Sequence, residues 1–259
     1  MKLYQVDSFT DKLFCGNPAA VCPLDVWIDA PLMQRIANEN NLSETAFFTK
    51  QPDGGYHIRW FTPTDEVDIC GHATLASAHV LFEHLAYDKK TIRFDSKSGP
   101  LYVSRSTNGL QMNFPLQDPQ PADMPEFLVE GLGLSPEKLL RHQDYIAVYS
   151  NESDIIGFAP DFRMLSQIDT RGICVTAPGD NCDFVSRFFA PRWGIDEDPV
   201  TGSAFCQLAP YWAKQLGKNK FIARQLSSRG GVVQCELHND RVLISGQART
   251  YLIGEIFID

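Results

Sequence analysis

The sequence contains one segment twice, and this duplication constrains the fold more than any other feature. The first copy, residues 59–73, reads RWFTPTDEVDICGHA, and the second, residues 187–204, reads RFFAPRWGIDEDPVTGSA. Each copy begins with arginine, an aromatic residue, phenylalanine, one further residue and proline. Each ends with glycine, then histidine or serine, then alanine, and an apolar stretch follows. We therefore expect two buried helices that begin at these glycines and two half-sites that face one ligand.

Segments typical of strands lie on both sides of each copy. In the first half these segments are residues 2–9, 18–24, 42–48, 56–62, 91–96, 100–106 and 110–115. In the second half they are residues 145–150, 172–177, 183–189, 232–237, 241–246 and 251–258. Few helices separate these strands, which argues against a regular parallel βαβ sheet. We predict an α+β fold in which each half wraps its strands round one buried helix.

The helix that precedes the first copy has clear ends. Asp29 is a predicted N-cap for a helix over residues 31–40, and Asn41 suits a left-handed stop. Shorter helices are predicted at residues 126–131, at 136–141 after the cap Ser135, and at 161–168.

The duplicated segments lead into predicted buried helices at residues 71–85 and 202–216. Pro210 lies inside the second helix and predicts a kink or a break there. Between the halves, residues 116–126 are rich in proline and lack periodicity. This segment predicts the domain boundary, with one domain over residues 1–116 and the other over residues 117–259.

Composition narrows the class of partner. The formal net charge of −9 argues against nucleic acid or an anionic membrane surface as a partner. No apolar stretch approaches the length that a membrane helix needs, and the amino terminus lacks the pattern of a signal peptide. The 7 cysteines are scattered without a CxxC pair, so no disulfide framework or zinc site is indicated. We expect a cytoplasmic protein without a metal.

The two helix starts are candidate ligand sites. We call residues 71–73 the first helix mouth and residues 202–204 the second. Backbone N–H groups at a helix start have no partner within the helix, and they can bind a carboxylate. Gly71, Ala73, Gly202 and Ser203 are therefore candidate substrate-binding residues. The alternative is that glycine and serine only start a helix.

Four side chains are candidates for chemistry. Glu44 opens a strand beside apolar residues, surroundings that can make a carboxylate basic enough for proton transfer. A solvated glutamate is the simpler interpretation from the residues alone. His72 lies in the first helix mouth, and Cys70 precedes that mouth as a candidate reactive thiol. Asp198 precedes the second mouth, where an aspartate is most often a cap.

Several motifs together resemble a known family. VDSFTDKLFCGNPAAV, NLSETAFF, DICGHATLASAHVL, EDPVTGSA and LAPYW occur in order along the whole chain. They are similar to the phenazine-biosynthesis isomerase-like family, within the fold of diaminopimelate epimerase and proline racemase. The resemblance implies two similar domains, each a β-barrel-like roll round a central helix, with the active site between them. It also implies that the last strand, near residues 250–259, pairs with the first domain.

The resemblance also implies the chemistry. Glu44 matches the acid/base glutamate of the family, and His72 and Asp198 match its supporting catalytic residues. The implied reaction moves a proton on a small carboxylate-bearing substrate with no metal or organic cofactor. The implied assembly is a homodimer.

Two alternatives remain open. Epimerases of the wider fold use a cysteine at each helix mouth, whereas this chain has Cys70 and Thr201. A Cys70/Thr201 racemase, epimerase or dehydratase acting on a proline-like or amino-acid substrate is therefore the second hypothesis. The third is a non-catalytic family member that binds a metabolite or a protein.

Overall fold

The computed structural model describes residues 1–258 of the chain, which forms two compact units. Unit 1 comprises Met1–Asn113 and the segment from Ser245 onward, and unit 2 comprises Phe114–Ile244. Within the described residues, no helix is long and apolar enough to span a membrane.

The structure contains the following elements. The helices are α1 (Ala30–Asn40), α2 (Gly71–Glu83), α3 (Leu128–Leu132), α4 (Glu152–Gly157), α5 (Phe162–Leu165) and α6 (Phe205–Leu216). The first nine strands are β1 (Lys2–Ser8), β2 (Asn17–Leu24), β3 (Glu44–Lys50), β4 (Tyr56–Phe61), β5 (Glu66–Val67), β6 (Thr91–Ser96), β7 (Gly99–Ser106), β8 (Gly109–Pro115) and β9 (Gln120–Pro121). The others are β10 (Lys138–Arg141), β11 (Tyr145–Val148), β12 (Ile173–Pro178), β13 (Phe184–Ala190), β14 (Ile195–Asp198), β15 (Lys220–Gln225), β16 (Gly231–His238), β17 (Arg241–Gly246) and β18 (Ala248–Glu255).

Helix α1 has the ends that the sequence predicts. The Asp29 carboxylate accepts a hydrogen bond from the Leu32 N–H (2.7 Å), which satisfies one of the free donors of the first turn. Asn41 adopts a left-handed conformation (φ 48°, ψ 39°) and ends the helix. The chain then turns directly into β3, so Glu44 is the first residue of that strand.

Helix α2 is the centre of unit 1. It packs against β1, β2, β3, β7 and β18. Ten of its side chains are buried, from His72 to Ala78 and from Val80 to Phe82. A helix enclosed on nearly every side is apolar on most of its faces, and its less buried side carries His79 and Glu83.

The two units repeat one order of strands. In unit 1, β2 pairs with β3 in parallel, β3 with β4 antiparallel, and β4 with β6 in parallel. In unit 2, β11 pairs with β12 in parallel, β12 with β13 antiparallel, and β13 with β15 in parallel. A pair of parallel strands needs a crossover connection. Helix α2 lies in the crossover from β4 to β6, and α6 lies in the equivalent crossover from β13 to β15. This repeat confirms the predicted α+β fold of two similar units.

The last strand belongs to unit 1. Strand β18 pairs antiparallel with β1, which lies between β18 and β2. β18 spans Ala248–Glu255, so it begins and ends three residues earlier than the predicted strand over residues 251–258.

The helix predicted at residues 136–141 is wrong. Lys138–Arg141 forms β10, which pairs antiparallel with both β9 and β11. Ser135 and Pro136 do resemble a helix start. However, hydrogen bonds to two neighbouring strands stabilise four residues more than one isolated helical turn does. Tertiary pairing therefore decides the conformation here.

Helix α6 is continuous through Pro210, so of the predicted kink or break the break is wrong. Proline lacks the N–H group that would bind the Cys206 carbonyl one turn earlier. The Gln117 N–H donates to that carbonyl instead (3.1 Å). The missing helical bond is thus replaced from outside the helix, and the helix continues to Leu216.

Candidate active site

The first helix mouth lies at the start of α2, where the Ala73 N–H interacts with the Cys70 thiol. The first i→i−4 hydrogen bond of α2 runs from the Thr74 N–H to the Cys70 carbonyl (3.2 Å). The N–H groups of Gly71, His72 and Ala73 precede this bond. The Ser8 hydroxyl donates to the His72 carbonyl (2.8 Å) and fixes the mouth to β1.

Three predicted residues of unit 1 form one buried cluster at this mouth. Nε2 of His72 lies 3.1 Å from Oε2 of Glu44, and the two side chains are 6% and 13% exposed. Nδ1 of His72 lies 3.6 Å from Sγ of Cys70. His72 Nε2 and Glu44 Oε2 lack a well-aligned hydrogen bond to any described residue. Both atoms therefore have unused hydrogen-bonding capacity in a nearly dry environment.

The cluster favours a charged histidine. Burial by itself would lower the pKa of His72, but the neighbouring Cys70 and Glu44 outweigh burial and raise this pKa well above its ordinary value. Burial raises the pKa of the Cys70 thiol, and the Glu44 carboxylate adds to that effect. Of the two neighbours that raise the pKa of His72, Cys70 contributes more than Glu44.

The geometry suits a chain of proton donors and acceptors better than a metal site. Glu44, Cys70 and His72 offer ligand atoms within 4.8 Å of one another. However, Cys70 faces Nδ1 and Glu44 faces Nε2, so the imidazole ring lies between them. One ion can use only one ring nitrogen, and a three-ligand site would require the ring to turn.

The second helix mouth is a 3-10 turn, Gly202–Ala204, that leads into α6. The Thr201 hydroxyl donates to the Asp198 carboxylate. Gln225, a buried residue of β15, accepts from the Thr201 N–H (2.9 Å) and donates to the Asp198 carbonyl (2.7 Å). The sequence analysis missed Gln225, because no local pattern links it to a segment 24 residues earlier.

A second group of hydrogen-bonded side chains that the sequence did not indicate lies beside Ser203. The Arg171 guanidinium donates to the Ser203 hydroxyl (2.8 Å) and to both carboxylate oxygens of Asp144. Asp144 is fully buried and also accepts from Gln207 (2.6 Å). Gln207 lies in α6, four residues after Ser203, and this spacing is the only sequence signal that could have pointed to it.

The arginines that open the two copies have equivalent structural roles. Arg59 makes a paired hydrogen bond to Glu66 (2.8 Å to each oxygen), and Arg187 does the same to Glu197 (2.7 and 3.0 Å). The Arg59 guanidinium holds the pKa of Glu66 at about 2. Each pair ties the acidic segment of its copy back to the preceding strand. Glu197 therefore has a structural role rather than a catalytic one.

Two further histidines, His79 on α2 and His84 at its C-terminal cap, make structural contacts. His79 and His84 both contact the Thr250 hydroxyl through Nε2 (2.9 and 2.7 Å), which ties α2 to β18. Burial lowers the pKa of His79 to about 4, so this side chain is neutral near pH 7.

The predicted site residues thus fall into one set per unit. Unit 1 brings Glu44, Cys70 and His72 together at the first mouth. In unit 2, Asp198 contacts Thr201 beside Gly202 and Ser203 at the second mouth. The catalytic and binding roles of these residues stay predictions.

Comparisons with known proteins agree along the whole chain. A family model described as phenazine biosynthesis-like protein matches residues 6–254. An uncharacterized isomerase of Pseudomonas aeruginosa is 48% identical over 258 residues, which cover 100% of this chain and 99% of that protein. The crystal structure of a phenazine biosynthesis PhzC/PhzF protein from Clostridium difficile is 46% identical, covers 100% of both chains and superposes with a TM-score of 0.94.

A more distant structure shows the wider fold. A hydroxyproline epimerase from Agrobacterium vitis is 10% identical and superposes with a TM-score of 0.63 over 98% of this chain and 91% of that one. At this identity the similarity concerns the fold alone.

Proposed function

The chain belongs to the phenazine biosynthesis-like family, and on this basis we propose that it is a cofactor-independent isomerase. The proposed reaction moves a proton between two positions of a small carboxylate-bearing substrate. Curated relatives that are 47–48% identical are named isomerases, which supports the reaction class.

One observation carries the proposal. The Glu44 carboxylate lies in a nearly dry cluster, 3.1 Å from a His72 side chain that the same cluster favours in its charged form. A buried carboxylate beside a helix start can accept a proton from a bound carbon acid. After this proton exchanges with solvent, the carboxyl group can donate a proton to another carbon of the same molecule.

In this mechanism Glu44 first acts as base and then as acid. It removes a proton from a carbon next to an electron-withdrawing group, and the electron pair moves into that group. The N–H groups of the first helix mouth stabilise the negative charge that develops there. His72 holds the Glu44 side chain in position. Glu44 then donates a proton to a second carbon, so no oxidant or other reactant is consumed.

We assign the second helix mouth to substrate binding. Gly202 and Ser203 would bind the same substrate molecule, and Asp198 would orient it. The duplicated motif and the resemblance to the family support this assignment.

A thiol mechanism is the second candidate, because Cys70 contacts His72 Nδ1. A histidine in this position could accept the thiol proton and make a thiolate. Burial opposes that step by raising the pKa of Cys70. Thr201 would supply a hydroxyl where a two-cysteine racemase needs a second thiol. We therefore favour Glu44.

The test is to screen amino acids and cyclic carboxylates by thermal shift and then to incubate each binder with the protein in D2O. An isomerase incorporates deuterium at one carbon-bound position, which NMR detects. Binding of several carboxylates without any deuterium incorporation would contradict the proposal and favour a non-catalytic binding protein. Exchange that survives in E44Q but disappears in C70S would favour the thiol mechanism.

A further inference from the structure

Arg171 is a charged residue that the proposed mechanism does not use, although it contacts the second helix mouth. It lies in the segment before β12, and its side chain is 31% exposed. Its Nη1 donates to Ser203 Oγ at 2.8 Å. The arginine therefore reaches one of the residues assigned to substrate binding.

A buried network fixes the position of this guanidinium. Asp144, with 0% side-chain exposure, accepts from Nε and Nη2 of Arg171. The Gln207 amide donates to Asp144 Oδ2, and its oxygen accepts from the N–H groups of Gln143 and Asp144 (3.0 and 3.1 Å). A carboxylate held by one fixed amide and a paired guanidinium has little freedom to move. Arg171 is thus held in place before any ligand arrives.

An aromatic platform supports the other side of the arginine. The Phe188 ring lies 5.6 Å from the guanidinium carbon of Arg171. Residue 172 must be small for this ring to fit, because a Cβ at Gly172 would lie 2.1 Å from it. A ring at this distance attracts the cation without using its N–H groups.

The remaining donors suit a carboxylate. Nη1 and Nη2 each carry two hydrogens, and the hydrogen bonds to Ser203 and Asp144 use one on each. Ser203 accepts from Arg171, so its own hydroxyl hydrogen is available to a ligand oxygen. An anionic group with two oxygens can use a guanidinium N–H and a serine O–H together. A neutral carboxamide offers a weaker acceptor and brings an NH2 group toward a cation.

We propose that Arg171 is a specificity-determining residue that makes the second helix mouth select a carboxylate over its neutral amide, with Asp144 and Gln207 as its positioning residues. This inference rests on the proposed function for the identity of the site. It adds to the proposed function the residue that recognises the negative charge of the substrate. It requires only binding, so it can be tested apart from proton transfer.

The test compares the binding of benzoate and benzamide by isothermal titration. The wild type should bind benzoate at least about tenfold more tightly, the size expected from one charge-assisted hydrogen bond. R171M should lose this preference, and R171K should keep part of it. R192M is the matched control, because Arg192 is an exposed arginine that pairs with the exposed Asp169. R192M should bind both ligands like the wild type.

A second variant covers the case in which R171M does not fold. S203A keeps the Arg171–Asp144 pair and removes only the hydroxyl, so it should weaken benzoate more than benzamide. Equal preference for benzoate in wild type and R171M, or no preference in the wild type, would overturn the inference. E44Q separates the two proposals: it should lose deuterium exchange and retain the benzoate preference.

Discussion

Replacement of His72 with asparagine should remove a defined part of the pH dependence of stability. The pKa of His72 is ordinarily 6.5, and in the folded protein it is well above that value. Between these two values the native state holds one proton that the unfolded state has lost. Stability from this group is therefore fully present below pH 6.5 and declines as the pH rises through the folded pKa.

The expected slope follows from the linkage relation. A difference of one bound proton changes the free energy of unfolding by about 1.4 kcal/mol per pH unit. Between pH 6.5 and the raised folded pKa of His72, the wild type should lose stability with up to this slope. Two neighbouring groups also contribute near this window. The ordinary pKa of His79 is 6.5, so the end of its change extends just above pH 6.5. The buried Cys70 thiol, whose pKa is raised, lowers the stability as the pH approaches its ordinary value of 9.0, and this contribution is common to the wild type and both histidine variants.

The assay is urea denaturation at constant ionic strength in steps from pH 6.5 to about 8.5, for the wild type, H72N and H79N. H72N should be less stable throughout, and its stability should fall less steeply with pH than that of the wild type in this range. H79N should keep the wild-type slope here and lose instead the rise in stability between about pH 4 and 6.5. Parallel curves for wild type and H72N above pH 6.5 would refute the assignment of a charged His72.

Three further predictions concern other parts of the structure. C70S should keep a rate of deuterium exchange within a few-fold of the wild type. Iodoacetamide should modify Cys70 slowly with or without ligand. A fall of more than about 100-fold in the exchange rate of C70S would favour thiol catalysis. Q225L should lower the free energy of unfolding by about 1–3 kcal/mol in urea, because it leaves the buried Thr201 N–H without its acceptor; a change below about 0.5 kcal/mol would contradict that role. Light scattering should give the mass of two chains, and the mass of one chain would contradict the predicted homodimer.

Local sequence signals predicted the elements that have local causes. Asp29 and Asn41 define both ends of α1 through contacts within a few residues, and this places Glu44 at the start of β3. The duplicated segment predicted two buried helices, because a glycine followed by an apolar run is visible in the sequence itself. The same segment predicted His72 as a candidate site residue.

The parts that sequence reasoning missed depend on distant contacts. Arg171 reaches Ser203 across 32 positions, and Gln225 reaches Thr201 across 24. Neither residue belongs to a recognisable motif, so only the fold shows what it contacts. The same holds for Pro210: its effect on α6 depends on Gln117, whose N–H replaces the lost donor to Cys206.

The pairing of β10 shows how a local signal can be overridden. Ser135 and Pro136 are typical of a helix start, yet residues 138–141 have a strand on each side. A short segment has too few residues for a stable helix, so the available hydrogen-bond partners decide its conformation.

The most direct test of the account is the rate of deuterium incorporation by E44Q at saturating ligand in D2O. E39Q is the matched control, because Glu39 lies on the exposed side of α1. We predict that E44Q binds the ligand like the wild type and exchanges about 100- to 10,000-fold more slowly, the usual contribution of a general acid–base residue. E39Q should exchange at the wild-type rate. Exchange by E44Q at the wild-type rate would contradict the central claim that Glu44 transfers the proton.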